Sequence, residues 1–277
     1  MVNDLAVLMT CFNRKAKTLA CLRRLLALSA DLDVYLVDDG STDGTSSAVR
    51  EMYPQVNLVS GDGDLFWNRG MYLAWKHAAT KSYKYFVWLN DDVLLYESCF
   101  DELFECSHLK ADRAVIVGII ESADGGKVLY GGTDTDGQLL RANGQMQPIM
   151  NMNGNVVLVP ASVHEILGNL DPVYHHDLGD VDYGYRAASR GIPVMSTRLP
   201  VASGEKNDFC RVRLWGKGVK ARMKRLYSPL GNHPRINFYF RRTHKGVLNA
   251  VSYYVFLHFI NVLPDGAVRL FFGRRYG

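Results

Sequence analysis

Through the first two hundred residues, uninterrupted apolar runs alternate with stretches in which large apolar residues recur every three or four positions. Residues 5–9 (Leu-Ala-Val-Leu-Met) are apolar throughout, the pattern of a strand buried on both faces. Beyond residues 10–15, Leu19, Leu22, Leu25 and Leu26 fall on one side of a helix. Residues 34–37, 56–59, 85–89 and 114–120 repeat the strand pattern, and 67–79 reads as a helix. Strands alternating with helices predict an α/β fold with a mostly parallel central sheet and right-handed crossovers.

The middle of the chain changes character. Asp124-Gly125 and Asp136-Gly137 punctuate short runs in the manner of hairpin turns, which predicts a small antiparallel element. The stretch from Asp134 to Gly137 superficially suits a calcium loop, but the twelfth position of that loop is Asn143 rather than Glu. Residues 155–160 predict another strand, 179–190 a helix closed by Gly191, and 193–197 extended chain. Near Glu205 the composition turns basic and aromatic. A boundary is expected there, between a catalytic domain over 1–204 and a mainly helical region over 205–277.

Composition narrows the class. With 48% hydrophobic and 22% charged residues, the 277-residue chain has the makeup of a soluble globular protein. Its five cysteines are odd in number and show no C-x-x-C spacing, so free buried thiols are expected rather than disulfides or a zinc site. The longest apolar stretch, 247–262, is interrupted by Asn249, Ser252, His258 and Asn261, and reads as an amphipathic or buried helix. Asp4, and the lack of a basic segment before the first apolar run, predict no secretory leader and a cytoplasmic location. The net charge of +4 conceals a split: from Arg211 onward there are fourteen Lys and Arg against the single acid Asp265. Such a tail, interleaved with Trp215, Tyr227, Tyr239, Tyr253 and Phe256, is either a solvated basic face or a surface for anionic lipid. No RNA-binding motif accompanies it, which argues against nucleic acid.

Four segments at predicted strand ends carry candidate chemistry, and in open α/β sheets ligands bind outside the carboxyl ends of the strands. The first is Thr10-Cys11-Phe12-Asn13-Arg14. The second, Asp38-Asp39-Gly40-Ser41, either meets a ribose or base edge or is a turn whose Ser41 or Asp43 caps the next helix. The third is Asn90-Asp91-Asp92. Adjacent carboxylates at the tip of so apolar a strand repel one another, and a hard divalent cation relieves that cost, where a solvated turn would not need one. The fourth places Asp180 and Asp182 in the first turn of a helix, where acids complement the helix dipole or one of them serves as a general base.

Taken in this order, the four motifs resemble glycosyltransferase family 2 over roughly residues 5–198, in particular its bacterial rhamnosyltransferase-like, capsule-type branch. That family's GT-A fold is Rossmann-like and nucleotide-binding. Residues 37–45 are similar to its D-D-x-S-x-D motif, Asn90-Asp91-Asp92 to its D-x-D region, and Gly179-Asp180 to its E-D motif. Residues 61–75, with Leu65-Phe66-Trp67 and Asn68-Arg69-Gly70, resemble its donor-sugar segment.

The resemblance implies roles. Thr10, Phe12 and Arg14 would line the nucleotide, with Asp39 on the base or ribose and Asp38 beside it. Asp91 would touch the ribose or a metal-bound water, and Asp92 would hold Mg²⁺ or Mn²⁺, with Asp91, His176 or His244 as further candidate ligands. Asp180 would be the base. Trp67, Asn68, Arg69 and Asp182 would border the donor or acceptor sugar, Trp67 serving either as a stacking platform or as core. The chain departs from the family in having Asn90 for the first Asp of D-x-D, Gly179 for the Glu of E-D, and no His within 200–203.

The implied reaction is inverting transfer from a UDP- or dTDP-sugar to a glycan or lipid-linked hydroxyl, in bacterial surface polysaccharide synthesis. The expected setting is the cytoplasm or the inner face of the plasma membrane. Two other readings compete. A sugar nucleotidyltransferase would want a glycine-rich first loop, which residues 10–14 lack. The other is a non-catalytic carbohydrate- or nucleic-acid-binding protein. Oligomeric state is left open.

Overall fold

The computed structural model describes residues 4–29, 31–206 and 212–273. The chain forms two compact units, one of Met1–Pro172 with Gly179–Lys206, the other of Val173–Leu178 with Asn207–Gly277. Cys210 lies outside the described residues. The other four cysteines, Cys11, Cys21, Cys99 and Cys106, are free and buried.

The first unit runs β1 (Leu5–Cys11), α1 (Lys15–Leu28), β2 (Asp33–Asp38), α2 (Thr45–Met52), β3 (Asn57–Ser60), α3 (Phe66–Ala78) and β4 (Tyr85–Leu89). It continues with β5 (Leu94–Leu95), α4 (Cys99–His108), β6 (Val115–Ser122), β7 (Val128–Tyr130), β8 (Val156–Pro160), α5 (Ala161–Leu167), α6 (Gly179–Ser189) and β9 (Val194–Gly204). One sheet orders these strands β3-β2-β1-β4-β8-β6-β9-β5, with β7 on β6.

Alternation explains why residues 5–9 of β1 are apolar throughout. Leu5, Val7, Met9 and Cys11 face a layer that includes Cys21, Leu22 and Leu25 of α1 and Leu103 of α4. Ala6 and Leu8 face Met71, Ala74 and Trp75 of α3 with Tyr183 of α6. Both faces are covered over residues 5–9, so neither set of positions there is polar, and the first polar residue, Thr10, comes where the strand nears its end.

The sheet is mixed, and its antiparallel element is larger than the hairpin punctuation implied. β3-β2, β2-β1, β1-β4 and β6-β9 are parallel, whereas β8 runs antiparallel to both β4 and β6. β5 and β7 add two further antiparallel pairs. The β8 insertion matters for function, because it brings the residues just before Val156 beside the carboxyl end of β4. Residues 134–138 do form a tight turn, with Gly137 N–H bonded to the Asp134 carbonyl at 3.1 Å.

The second unit holds α7 (Val219–Leu226), α8 (Pro234–Lys245), α9 (Val247–Val262) and α10 (Asp265–Phe272). Gly246 joins α8 to α9 at φ +89°, a left-handed value that favours glycine. Arg213 and Arg222 are buried and donate to the Leu263 carbonyl at the end of α9, each at 2.8 Å. Asp265 pairs with both arginines, 2.8 Å from Arg222, and offsets one of their two charges. Cations at a helix C-terminus satisfy its last carbonyls and complement its dipole. Among the described residues no helix is long and apolar enough to cross a membrane.

Candidate active site

The loops after β1, β2 and β3 are stitched to one another. Asn13 sits at φ +51°, donates its N–H to Ser41 Oγ at 2.9 Å and accepts the Thr42 N–H at 2.7 Å. Asp43 accepts the Lys15 N–H at the start of α1 and the Thr45 N–H at the start of α2. Asp43 thus takes a helix-start N–H from each helix, although the N-cap position of α2 is Gly44, which makes no side-chain cap bond.

Asp38 and Asp39 are both buried. Asp38 accepts the Ser41 N–H at 2.9 Å and the Ser46 hydroxyl. Asp39 accepts the N–H groups of Gly63 (2.9 Å), Leu65 (3.0 Å) and Phe66 (2.9 Å). A carboxylate offers about four acceptor sites, so Asp39 has little capacity left. It secures the first residue of α3, Phe66, whose φ of +55° is costly for a side-chain-bearing residue. Phe12, by contrast, is half exposed, and Thr10 lies directly under Gly70. A Cβ at Gly70 would stand 2.3 Å from Thr10 Oγ1, so only glycine lets α3 approach β1 this closely.

The second carboxylate pair is held differently. One Arg14 nitrogen, Nη1, reaches Asp91 at 3.3 Å and Asp92 at 2.7 Å, while Thr18 Oγ1 donates to Asp91 at 3.0 Å. Burial pushes the Asp91 carboxyl up to about 6. Arg14 opposes that shift and the Asp92 charge adds to it. Both carboxylate side chains are only 6% exposed, whereas Arg14 is 44% exposed and free to rearrange.

The donor chemistry fits a hard cation that draws most of its coordination from a ligand. Mg²⁺ characteristically takes one or two carboxylates and completes its shell with phosphate and water. Among the described residues no three His, Cys, Asp or Glu side chains group to hold an ion by themselves. His176 and His244 belong to the second unit. His244 packs there against the Phe240 ring, with centroids 4.9 Å apart.

On α6, Asp180 accepts the Gly154 N–H at 2.9 Å and the Val181 N–H at 2.8 Å. Burial raises its carboxyl above the ordinary range, against the pull of those N–H groups. Asp182 is instead paired with Arg186 at 2.8 Å, and Arg186 also grips the carbonyls of Leu167 and Asn169. That places Asp182 in the anchoring of α6.

Asn68 is fully buried and donates to the Asp171 carbonyl at 2.8 Å, and Arg69 donates to the Pro172 carbonyl at 3.0 Å. A Cβ at Gly179 would lie 1.7 Å from Asn68 Oδ1, so the Asn68 side chain occupies the space a glutamate would need. This accounts for glycine at 179.

A polar chain links the two acidic ends. Trp67 Nε1 donates to Asn90 Oδ1 at 2.7 Å, the Asn90 amide donates to Asn155 Oδ1, and the Asn155 amide donates to Asn153 Oδ1. Gly154, between those asparagines, donates to Asp180 and lies so close to Trp67 that a Cβ would stand 2.5 Å from the indole. Trp67, Asn90 and Asp180 are thereby brought around one loop, with Asp91 and Asp92 following Asn90. Sequence reasoning missed Thr18, Asn153, Gly154 and Asn155. The available signal was the alternation of Asn151, Asn153 and Asn155 immediately ahead of an apolar strand.

Residues 6–162 match the family model described as glycosyl transferase family 2. The chain belongs to that family. The match covers more than half of the 277 residues and includes the loops after β1, β2 and β4, while α6 lies beyond it. Among solved structures, this family 2 chain is similar to the mannosyltransferase PcManGT from Pyrobaculum calidifontis, described in complex with GDP-Man and Mn²⁺. Identity is 17%, the alignment spans 94% of this chain and 72% of that one, and the TM-score is 0.58. The likeness establishes the fold, which is GT-A. No curated protein sequence matches the chain. Family and fold together make it a glycosyltransferase using a nucleotide-sugar donor.

Proposed function

We propose that this family 2 transferase inverts the anomeric centre of its donor in a single displacement, with Asp180 as base and Asp92 as the principal ligand of Mg²⁺ or Mn²⁺. The observation that carries this reading is the loop of Asn153, Gly154 and Asn155. It is bonded through Gly154 to Asp180 and through Asn155 to Asn90, the residue before the acidic pair. When bound, the cation would offset charge developing on the diphosphate as the glycosidic bond breaks. Asp180, held above the ordinary carboxyl range by burial, takes the proton of the acceptor hydroxyl. Arg14 and the half-exposed Phe12 line the nucleotide, while Asp38 and Asp39 shape that pocket through the loops they hold. Trp67 walls the sugar site, and Asn68 and Arg69 brace it.

The donor-segment resemblance over residues 61–75 supports a capsule-type role in bacterial surface polysaccharide synthesis, with UDP- or dTDP-sugars as donors. The PcManGT likeness adds GDP-mannose to the panel worth testing. The basic second unit supports a lipid-linked acceptor at an anionic membrane surface.

The test is nucleoside diphosphate release from UDP-, dTDP- and GDP-sugars with Mn²⁺. The expected outcome is release from at least one donor, suppressed by a chelator and by Asp180→Asn in the presence of acceptor. Pyrophosphate-dependent release of nucleoside triphosphate would overturn the reading in favour of nucleotidyl transfer.

A further inference from the structure

Helix α9 is apolar around most of its circumference, yet only one side of it is covered. Ala250, Leu257, Ile260 and Asn261 are buried in the second unit. Leu248, Val251, Val255, Phe259 and Val262 are all exposed, Leu248 at 85%. At about 100° of turn per residue these five share one arc roughly 80° wide. Helix α10 adds Leu270 and Phe271, 80% and 72% exposed. Soluble surfaces scatter such residues singly, whereas a row in helical register marks a contact surface.

Charge selects the occupant. From Arg211 onward fourteen cations face one acid, and that acid, Asp265, is engaged by the buried Arg213 and Arg222. Lys217, Lys220, Lys224, Arg235, Arg242 and Arg269 are exposed. A second copy docked through this unit would bring like charges together, whereas anionic headgroups complement them. Arg241 stacks over the Tyr253 ring of α9 at 3.5 Å, an amphipathic pairing suited to an interface. The 16-residue helix is about 24 Å long, enough to lie in the plane of a leaflet.

We propose that the exposed arc of α9, with Leu270 and Phe271, lies in the headgroup–acyl boundary of an anionic bilayer. The inference rests on the membrane-facing reading of the second unit, and names the surface that enters.

The test uses the full chain and vesicles of phosphatidylcholine with or without phosphatidylglycerol. The parent is expected to co-sediment with the anionic vesicles, and the triple variant Leu248→Glu, Val255→Glu, Phe259→Glu to bind at least tenfold more weakly, with unchanged donor hydrolysis as its control for folding. Separately, Val255→Trp should show a blue-shifted emission on anionic vesicles. Parent-like binding by the triple variant, with no emission shift, would overturn the α9 assignment and leave an electrostatic membrane contact standing. No binding by the parent would overturn both. A parent dimer that the triple variant converts to monomer in vesicle-free solution would assign the surface to a second copy and overturn the proposal. Donor turnover is read independently in every case, so none of these outcomes bears on the sugar-transfer reading.

Discussion

Two pairs of adjacent aspartates, Asp38-Asp39 and Asp91-Asp92, stand at the carboxyl ends of strands β2 and β4 of the same sheet, and both are nearly buried. Their partners differ. The first pair is satisfied by backbone N–H groups and hydroxyls that cannot leave without unfolding the loops. The second is bridged by one half-exposed arginine and one hydroxyl, an arrangement a ligand can rearrange. Identical residue pairs at equivalent strand ends can therefore do different work: one fixes the architecture of the site, and the other remains available for chemistry.

Substitutions should separate the two. The largest effect is expected at the chemical groups: Asp180→Asn should lower kcat by about 10²–10⁴-fold, the range for losing a positioned base, with no loss of melting temperature. Asp92→Asn should cost activity by a factor of about 10²–10³, and stability by under about 1 kcal/mol, because its partner Arg14 is half exposed. Asp39→Ala should do the reverse in character. It strands three N–H groups and is expected to cost about 2–3 kcal/mol, read as a fall in denaturation midpoint, with activity lost in proportion to folding. A parent-like midpoint for Asp39→Ala would break the comparison.

Asn90→Asp is a finer probe. An aspartate still accepts from Trp67 but cannot donate to Asn155, so about a tenfold loss of kcat is expected with KM for donor nearly unchanged. The smallest effect concerns pH. Burial raises Asp180 in the folded state, so the native protein binds its proton more tightly than the unfolded chain. That contribution to stability is present below the unfolded pKa and is lost as pH rises through the folded one. Asp180→Asn should therefore melt slightly higher than the parent at neutral pH, with the gap closing in acid. The parent's kcat should rise with pH through a limb displaced above the ordinary carboxylate range.

The α/β alternation was legible because strands covered on both faces must be apolar at every position, as 5–9 and 85–89 are. The site segments were legible because they sit where those runs stop. The direction of β8 was not, since five apolar residues read alike in either orientation. Helix α4 escaped notice, although Cys99, Phe100, Leu103 and Cys106 carry its buried face, because cysteine and a short span weaken the period. The Trp67–Asn90–Asn155–Asn153 chain was invisible for another reason: side-chain amides have no periodicity, and their partners are distant in sequence. Likewise, a helix apolar around most of its circumference gives no sign of which arc stays uncovered, so α9's exposed arc emerged only from the structure.

The central claim is that cation and base act on one substrate from opposite ends of a single loop. Its most direct test is donor binding and transfer measured side by side, with Mn²⁺ titrated, for the parent, Asp92→Asn and Asp180→Asn. The account predicts that Asp92→Asn loses Mn²⁺-dependent donor binding, while Asp180→Asn binds donor as the parent does and fails to transfer. Parent-like transfer by Asp180→Asn, or Mn²⁺-dependent donor binding undiminished in Asp92→Asn, would contradict it.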